Sequence, residues 1–132
     1  MKMCFANIIF SGPYKLTSDN IDRYIDDESL GVYILGRTWG GQFKPRYVGR
    51  SDSNLNERLK DHINEYPEFC YRVLDSVNAT FEHECKLYHI LGEDYQLDNE
   101  IHPRSPDSQD LECPCKSYHK TPKVAKLLEK LG

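Results

Sequence analysis

The strongest constraint on this chain is a pair of short apolar and aromatic runs with a glycine-containing segment between them. Gly31-Val32-Tyr33-Ile34-Leu35 is β-branched and aromatic and is bounded by Gly31 and Gly36, the pattern of a buried strand. The ten residues that follow contain Gly40-Gly41 and Pro45, a hairpin-type turn signal. Arg46-Tyr47-Val48-Gly49-Arg50 supplies a second strand, so the two are expected to pair antiparallel.

Helical signals flank this pair. Thr17 to Ser29 is polar and acidic, and a short amphipathic helix is expected around Ile21, Tyr24 and Ile25. Asn54 caps a second helix, with Glu57 three residues on as in a capping box. Leu55, Leu59 and Ile63 give that helix its inward stripe, and Pro67 ends it. Phe69 to Leu74 reads as a third strand with Phe69, Tyr71 and Val73 on one face. A further helix is expected from Ala79 to Leu91, stopped by Gly92. After an irregular stretch through Asn99, Pro103 and Pro106, Thr121-Pro122 opens a last helix carrying Val124, Leu127, Leu128 and Leu131. Strands followed by helices without regular βαβ alternation predict an α+β class.

The length of 132 residues suits a single domain spanning 1–132. An aromatic share of 11% argues against wholesale disorder. No apolar run approaches the roughly 20 residues of a membrane helix, so a spanning protein is not expected. Five cysteines, at positions 4, 70, 85, 113 and 115, are an odd set for a disulfide scaffold. Met1 to Phe10 has only a short apolar stretch, interrupted by Asn7 and without a small-x-small cleavage site, so no signal peptide is expected. Those features predict a reducing, intracellular (cytoplasmic) compartment.

Net charge of −4 first argues against nucleic acid, but the charge is uneven. Between Arg37 and Lys60 six cations (Arg37, Lys44, Arg46, Arg50, Arg58, Lys60) face Asp52 and Glu57, a local +4 that leaves −8 elsewhere. Tyr33, Trp39, Phe43 and Tyr47 lie in or beside this stretch, and cations interleaved with aromatics suit phosphate neutralisation and base stacking. Lys116 to Lys130 carries another +4 and either grips a phosphate backbone or forms a solvated helix face.

Helical phase singles out further side chains. Phe81, Cys85 and Tyr88 define an apolar face at i, i+4 and i+7, and Glu84 falls on it, where a carboxylate needs a partner. Glu82 falls on the other side with Lys86 and His89, an ordinary solvent arrangement. Arg58 and His62 stack four apart at the edge of the Leu59–Ile63 stripe, able to reach a cleft.

Taken together, Gly31-Val32-Tyr33, Tyr47-Val48-Gly49, Arg50-Ser51, Arg58-Leu59 with His62, Glu84-Cys85-Lys86-Leu87-Tyr88 and Asn99 resemble the GIY-YIG nuclease family. The resemblance covers about 31–103 and leaves 104–132 as an extension with a basic helix. It implies a three-stranded antiparallel sheet flanked by helices that cleaves phosphodiester bonds with one Mg²⁺ or Mn²⁺. Glu84 would hold the ion, an oxygen-seeking cation. Arg58 would share in stabilising phosphate charge, and Tyr33 would orient or deprotonate the attacking water. A phenol's usual pKa of about 10 makes deprotonation costly, so His62 is the alternative proton acceptor. Tyr47 would position the phosphate or water. Arg50 would contact phosphate, with Gly49, Arg46 and Lys44 beside it as substrate-binding residues, and Asn99 would brace the site or the nucleic-acid backbone. DNA is the expected partner before RNA, with specificity coming from this domain, a homodimer or a protein partner.

Two rivals compete. A structural zinc site could use Cys113-Pro114-Cys115 with His119, or Cys85 with His83 and His89, but neither contains CxxC or HExxH, so zinc is not the expected cofactor. The other is a catalytically silent module of the same fold that binds nucleic acid or a partner.

Overall fold

Within residues 2–5, 7–106 and 110–115, which the computed structural model describes, the chain forms β1 (Lys2–Phe5), β2 (Ile8–Lys15), α1 (Ser18–Tyr24), β3 (Leu30–Trp39), β4 (Gln42–Ser51), α2 (Leu55–Lys60), β5 (Glu68–Leu74), α3 (Val77–Ile90) and α4 (Glu93–Gln96). The helix expected from Thr121, the 116–130 lysines and His119 lie outside the described residues.

The strands make one antiparallel sheet in the order β1-β2-β5-β3-β4. It has five strands, and the expectation of a three-stranded sheet flanked by helices is therefore wrong. The two extra strands come from the N-terminal residues that the resemblance leaves uncovered. Ile8, Phe10 and Gly12 are buried while Ile9 is exposed, a period of two that the sequence does contain. Pro13 conceals it, because proline normally ends a strand. Here it falls in a register irregularity between Ser11 and Tyr14, where the ladder needs no N–H.

Around β3 the sheet is covered on both faces. Val32 and Ile34 pack with Leu87 and Tyr88 of α3, whereas Tyr33 and Leu35 pack with Ile21 of α1 and Leu55 and Leu59 of α2. This two-sided burial is why 31–36 reads as an unbroken buried run. The β3–β4 hairpin closes on Gly40-Gly41 with φ of 60° and 79°, left-handed values that glycine adopts without strain. The ladder then shifts: Leu35 pairs Tyr47 but Gly36 pairs Pro45, leaving Arg46 as an extra residue.

Local caps behave as their residues dictate. The side chains of Thr17, Asn54 and Ser76 accept from the N–H groups of Asn20, Glu57 and Ala79 at the starts of α1, α2 and α3. Helix α2 is shorter than its stripe suggests. The bonds from Asp61 to Arg58, His62 to Leu59 and Ile63 to Lys60 tighten it into i→i+3 turns, and Asn64 takes φ 76°. Of the face expected to carry Phe69, Tyr71 and Val73, Phe69 is buried while Val73, near the end of β5, is 48% exposed. Among the described residues no helix is long and apolar enough to cross a membrane.

Candidate active site

Tyr33 occupies the middle of the sheet opposite Gly49 of the edge strand β4. A Cβ at Gly49 would overlap the Tyr33 ring and hydroxyl, so the tyrosine lies flat across a position that only glycine leaves open. Tyr47 stacks on Tyr33 with centroids 6.4 Å apart, and the His62 ring completes the group at 5.5 Å and 5.3 Å from the two tyrosines. His62 reaches this place because α2 tightens after Lys60, not through the α-helical stacking with Arg58 expected from their spacing.

The polar ends of these rings form a relay. Glu65 Oε1 lies 2.8 Å from His62 Nδ1, and Tyr33 Oη lies 2.9 Å from His62 Nε2. A carboxylate accepts, so Nδ1 donates to Glu65 and Nε2 is left to accept from the phenol. Tyr33 is almost wholly buried, and that desolvation, followed by the neighbouring Tyr47, holds its pKa well above the usual phenol value; Arg58 opposes the shift. Burial also raises Tyr47, with Glu84 adding to the effect.

Glu84 is buried as helical phase predicts, and Glu82 is exposed. Its partner is Arg50, whose Nη1 lies 2.5 Å from Glu84 Oε1 while its Nε bonds Asp52 Oδ1 at 3.0 Å. The Phe81 ring backs the guanidinium at 5.2 Å. Desolvation pushes the Glu84 carboxyl up to about 7 despite Arg50, which pulls the other way. Tyr33, Tyr47, Gly49, Arg50, Arg58 and Glu84 all line one cavity of about 390 Å³. Arg50 pairs with Val32 and Gly49 with Tyr33 across the ladder, so the cavity takes side chains from both faces of the sheet at its β4 edge.

The other expected substrate contacts lie elsewhere. Lys44 and Arg46 join Arg37 and Trp39 in a separate hollow towards the hairpin tip, and Arg46 Nη2 is paired with Asp98 Oδ1 at 2.6 Å. Asn99 does not face the cavity as a free amide. Its Oδ1 accepts from Val48 N–H at 2.9 Å and its Nδ2 donates to Val48 C=O at 2.7 Å, satisfying the open edge of β4. Tyr66 and Glu65 were missing from the sequence reading. The Tyr66 ring lies tilted against Tyr47 with centroids 6.2 Å apart and its hydroxyl donates to Asp98 Oδ2 at 2.8 Å, and no local pattern signals either contact.

The cysteines and histidines are redistributed as well. His83 Nδ1 bonds the Ala79 carbonyl at 2.7 Å. His89, expected on the solvent side with Glu82, is buried and bonds Glu93 Oε2 through Nδ1 at 2.5 Å. Cys85 packs with Phe81 and Cys115 in a small cluster that also includes Leu111 and Cys113.

No protein-family model, curated protein or solved structure matches the chain.

Proposed function

We propose that this chain is a metal-dependent nuclease of the GIY-YIG type that hydrolyses phosphodiester bonds, in DNA before RNA. The observation that carries the reading is the convergence of Tyr33, Tyr47, Arg58 and Glu84, from four different elements, on one cavity.

The donor set fits a hard divalent cation. Glu84 offers a carboxylate in a hydroxyl-rich hollow, the oxygen-donor surroundings that such a cation takes together with its own water. Glu84 would hold one Mg²⁺ or Mn²⁺, which when bound supplies charge stabilisation on the scissile phosphate and leaving oxygen. Arg50 orients the carboxylate through its bond to Oε1. Arg58, exposed on the cavity wall, meets the negative phosphate oxygens. The Tyr33 hydroxyl orients the attacking water and passes its own proton to His62 Nε2 as it takes one from the water, so a buried phenolate never has to persist. Glu65 holds His62 in the accepting tautomer and stabilises the imidazolium that results. Tyr47 positions the phosphate beside the Tyr33 ring.

Arg37, Lys44 and Trp39 extend the cationic, aromatic surface along the hairpin, where a nucleic-acid strand leaving the cavity meets them. The acidic remainder of the chain makes non-specific binding weak, so a second copy or a protein partner supplies specificity. The odd cysteine count supports a reducing intracellular compartment.

The test is a panel of plasmid, branched and single-stranded DNA and RNA with Mg²⁺ or Mn²⁺. Cleavage of at least one substrate is expected from the wild type and none from Glu84→Ala. Equal behaviour of the two proteins on every substrate leaves the fold as a silent binding module.

A further inference from the structure

The chain after α4 has no regular secondary structure over 99–106 and 110–115, yet part of it is held tightly against α3. What holds it includes an unusual set of groups. The ligating atoms of Cys85, His102 and Cys113 lie within 4.8 Å of one another. His89 sits one helical turn after Cys85, a spacing that puts two side chains on one metal ion. Its Nε2 is 3.0 Å from His102 Nε2 and 3.6 Å from Cys113 Sγ. Tetrahedral zinc, with bonds of about 2.0 Å to nitrogen and 2.3 Å to sulfur, separates such ligands by about 3.3 Å (N to N) and 3.6 Å (N to S).

The outer contacts settle which way the rings present themselves. Pro103 carbonyl oxygen, an acceptor only, lies 2.7 Å from His102 Nδ1. The Glu93 carboxylate does the same for His89 Nδ1 at 2.5 Å. With an acceptor at each Nδ1, Nε2 is the nitrogen that each ring turns towards the thiols and towards the other ring. A carboxylate or carbonyl behind each imidazole is the usual support of a metal-bound histidine.

We propose that Cys85, His89, His102 and Cys113 form a structural zinc site that staples the segment after Asn99 to α3. Sulfur and nitrogen donors in equal number select zinc over magnesium. The inference goes beyond the nuclease reading and stands independently of it. The site takes Cys85 and His89 from one cysteine–histidine group that the sequence offers and Cys113 from the other, and adds His102, which belongs to neither. The consequence reaches the cavity, because Asn99, His102, Pro103 and Arg104 line a second hollow with Tyr47 and Glu84. Fastening His102 to α3 holds that wall beside Glu84, and Asn99 beside β4.

The experiment uses the full chain, expressed in zinc-replete medium and purified with thiols reduced and no chelator. Elemental analysis is expected to find one zinc per chain, and replacement with Co²⁺ to give the strong visible bands of a tetrahedral thiolate site. His102→Gln and Cys113→Ser, both outside the sheet, should each lose zinc to a competing chromogenic chelator at concentrations that leave the wild type loaded. Glu93→Gln, which keeps all four ligands, should weaken zinc affinity about 10- to 100-fold. Cys115→Ala and Cys4→Ser should bind as the wild type does. A chain that emerges metal-free and takes up no Co²⁺, or that carries a Cys85–Cys113 disulfide instead, overturns the proposal. Zinc retention in His102→Gln and Cys113→Ser, or its loss in Cys115→Ala, overturns this ligand set. Because metal content is read without a nuclease assay, failure here and failure of the catalytic reading are separate results.

Discussion

Glu84 and Cys85 are neighbours on α3, both buried, and they serve opposite kinds of chemistry. Glu84 turns to Arg50 at the wall of an open cavity, among phenols, serines and a second arginine. Cys85 turns to Cys113 and Cys115 and the Phe81 ring, with His89 one turn on and His102 close by. Oxygen donors beside solvent suit a hard cation that keeps its water, whereas thiols and imidazoles closed in by their own chain suit a soft one. A step of one residue, about 100° around a helix, is enough to separate the two environments. The first region is arranged for exchange of water, protons and substrate. The second is arranged to hold a segment still.

The contrast is sharpened most by Glu84→Gln. Cleavage should fall by at least about 10³-fold, since the amide cannot carry the charge that the proposed site needs, while zinc content stays unchanged. The same variant tests the raised carboxyl. A pKa lifted above its unfolded value adds stability that is complete at low pH and is lost as pH rises from 4.5 through about 7. Wild type should therefore lose about 2–3 kcal/mol relative to Glu84→Gln across that interval without divalent cation, read by urea unfolding at each pH. A flat difference removes the buried, proton-retaining carboxyl from the account.

Tyr33→Phe comes next, with an expected loss of about 10²-fold in rate, in line with removal of one proton-transfer group. His62→Gln should show a comparable loss and a changed pH–rate profile. Full activity in Tyr33→Phe, with loss in His62→Gln, would make the imidazole the direct base. Gly49→Ala should destabilise the fold by about 1–3 kcal/mol and lower activity, because the new methyl must displace the Tyr33 ring. An unfolding midpoint equal to that of the wild type would deny the close packing of the two.

Smaller effects probe the boundary between the regions. Asn99→Ala leaves the Val48 N–H and C=O without their side-chain partner and should cost about 1–2 kcal/mol, measured by denaturant unfolding. Lys44→Ala, at the hairpin tip, should leave stability within about 0.5 kcal/mol of wild type. It should also reduce the salt slope of nucleic-acid binding by about 1, the signature of one phosphate contact.

Much of the first region is legible along the chain. The two strands around Gly40-Gly41 pair as their pattern demands, because turn chemistry and alternation act over a few residues. Asn54 caps its helix, and the phase of Phe81, Cys85 and Tyr88 correctly buries Glu84. The sequence reading fails wherever a local rule is overruled at a distance. Pro13 hides a strand that survives because it sits in an irregularity of the ladder. One extra residue at Arg46 shifts the outer half of β4, so Lys44 and Arg46 end in a different hollow from Tyr47 and Gly49. Asn99, expected to brace the site or the nucleic-acid backbone, commits both ends of its amide to Val48 of β4, a contact that no spacing along the chain signals.

By itself the sequence determined the elements whose signals are local: the central hairpin, the capped helices and the carboxylate that must be buried on α3. Periodicity and capping act within a turn or two of chain, and these residues obey them. Only the tertiary structure decided the number of strands, the partner of Glu84 and the meeting of Cys85 and His89 with His102 and Cys113. Those outcomes depend on which segments cover one another's exposed edges and faces. No spacing along the chain encodes that choice, because burial is settled between elements rather than within them.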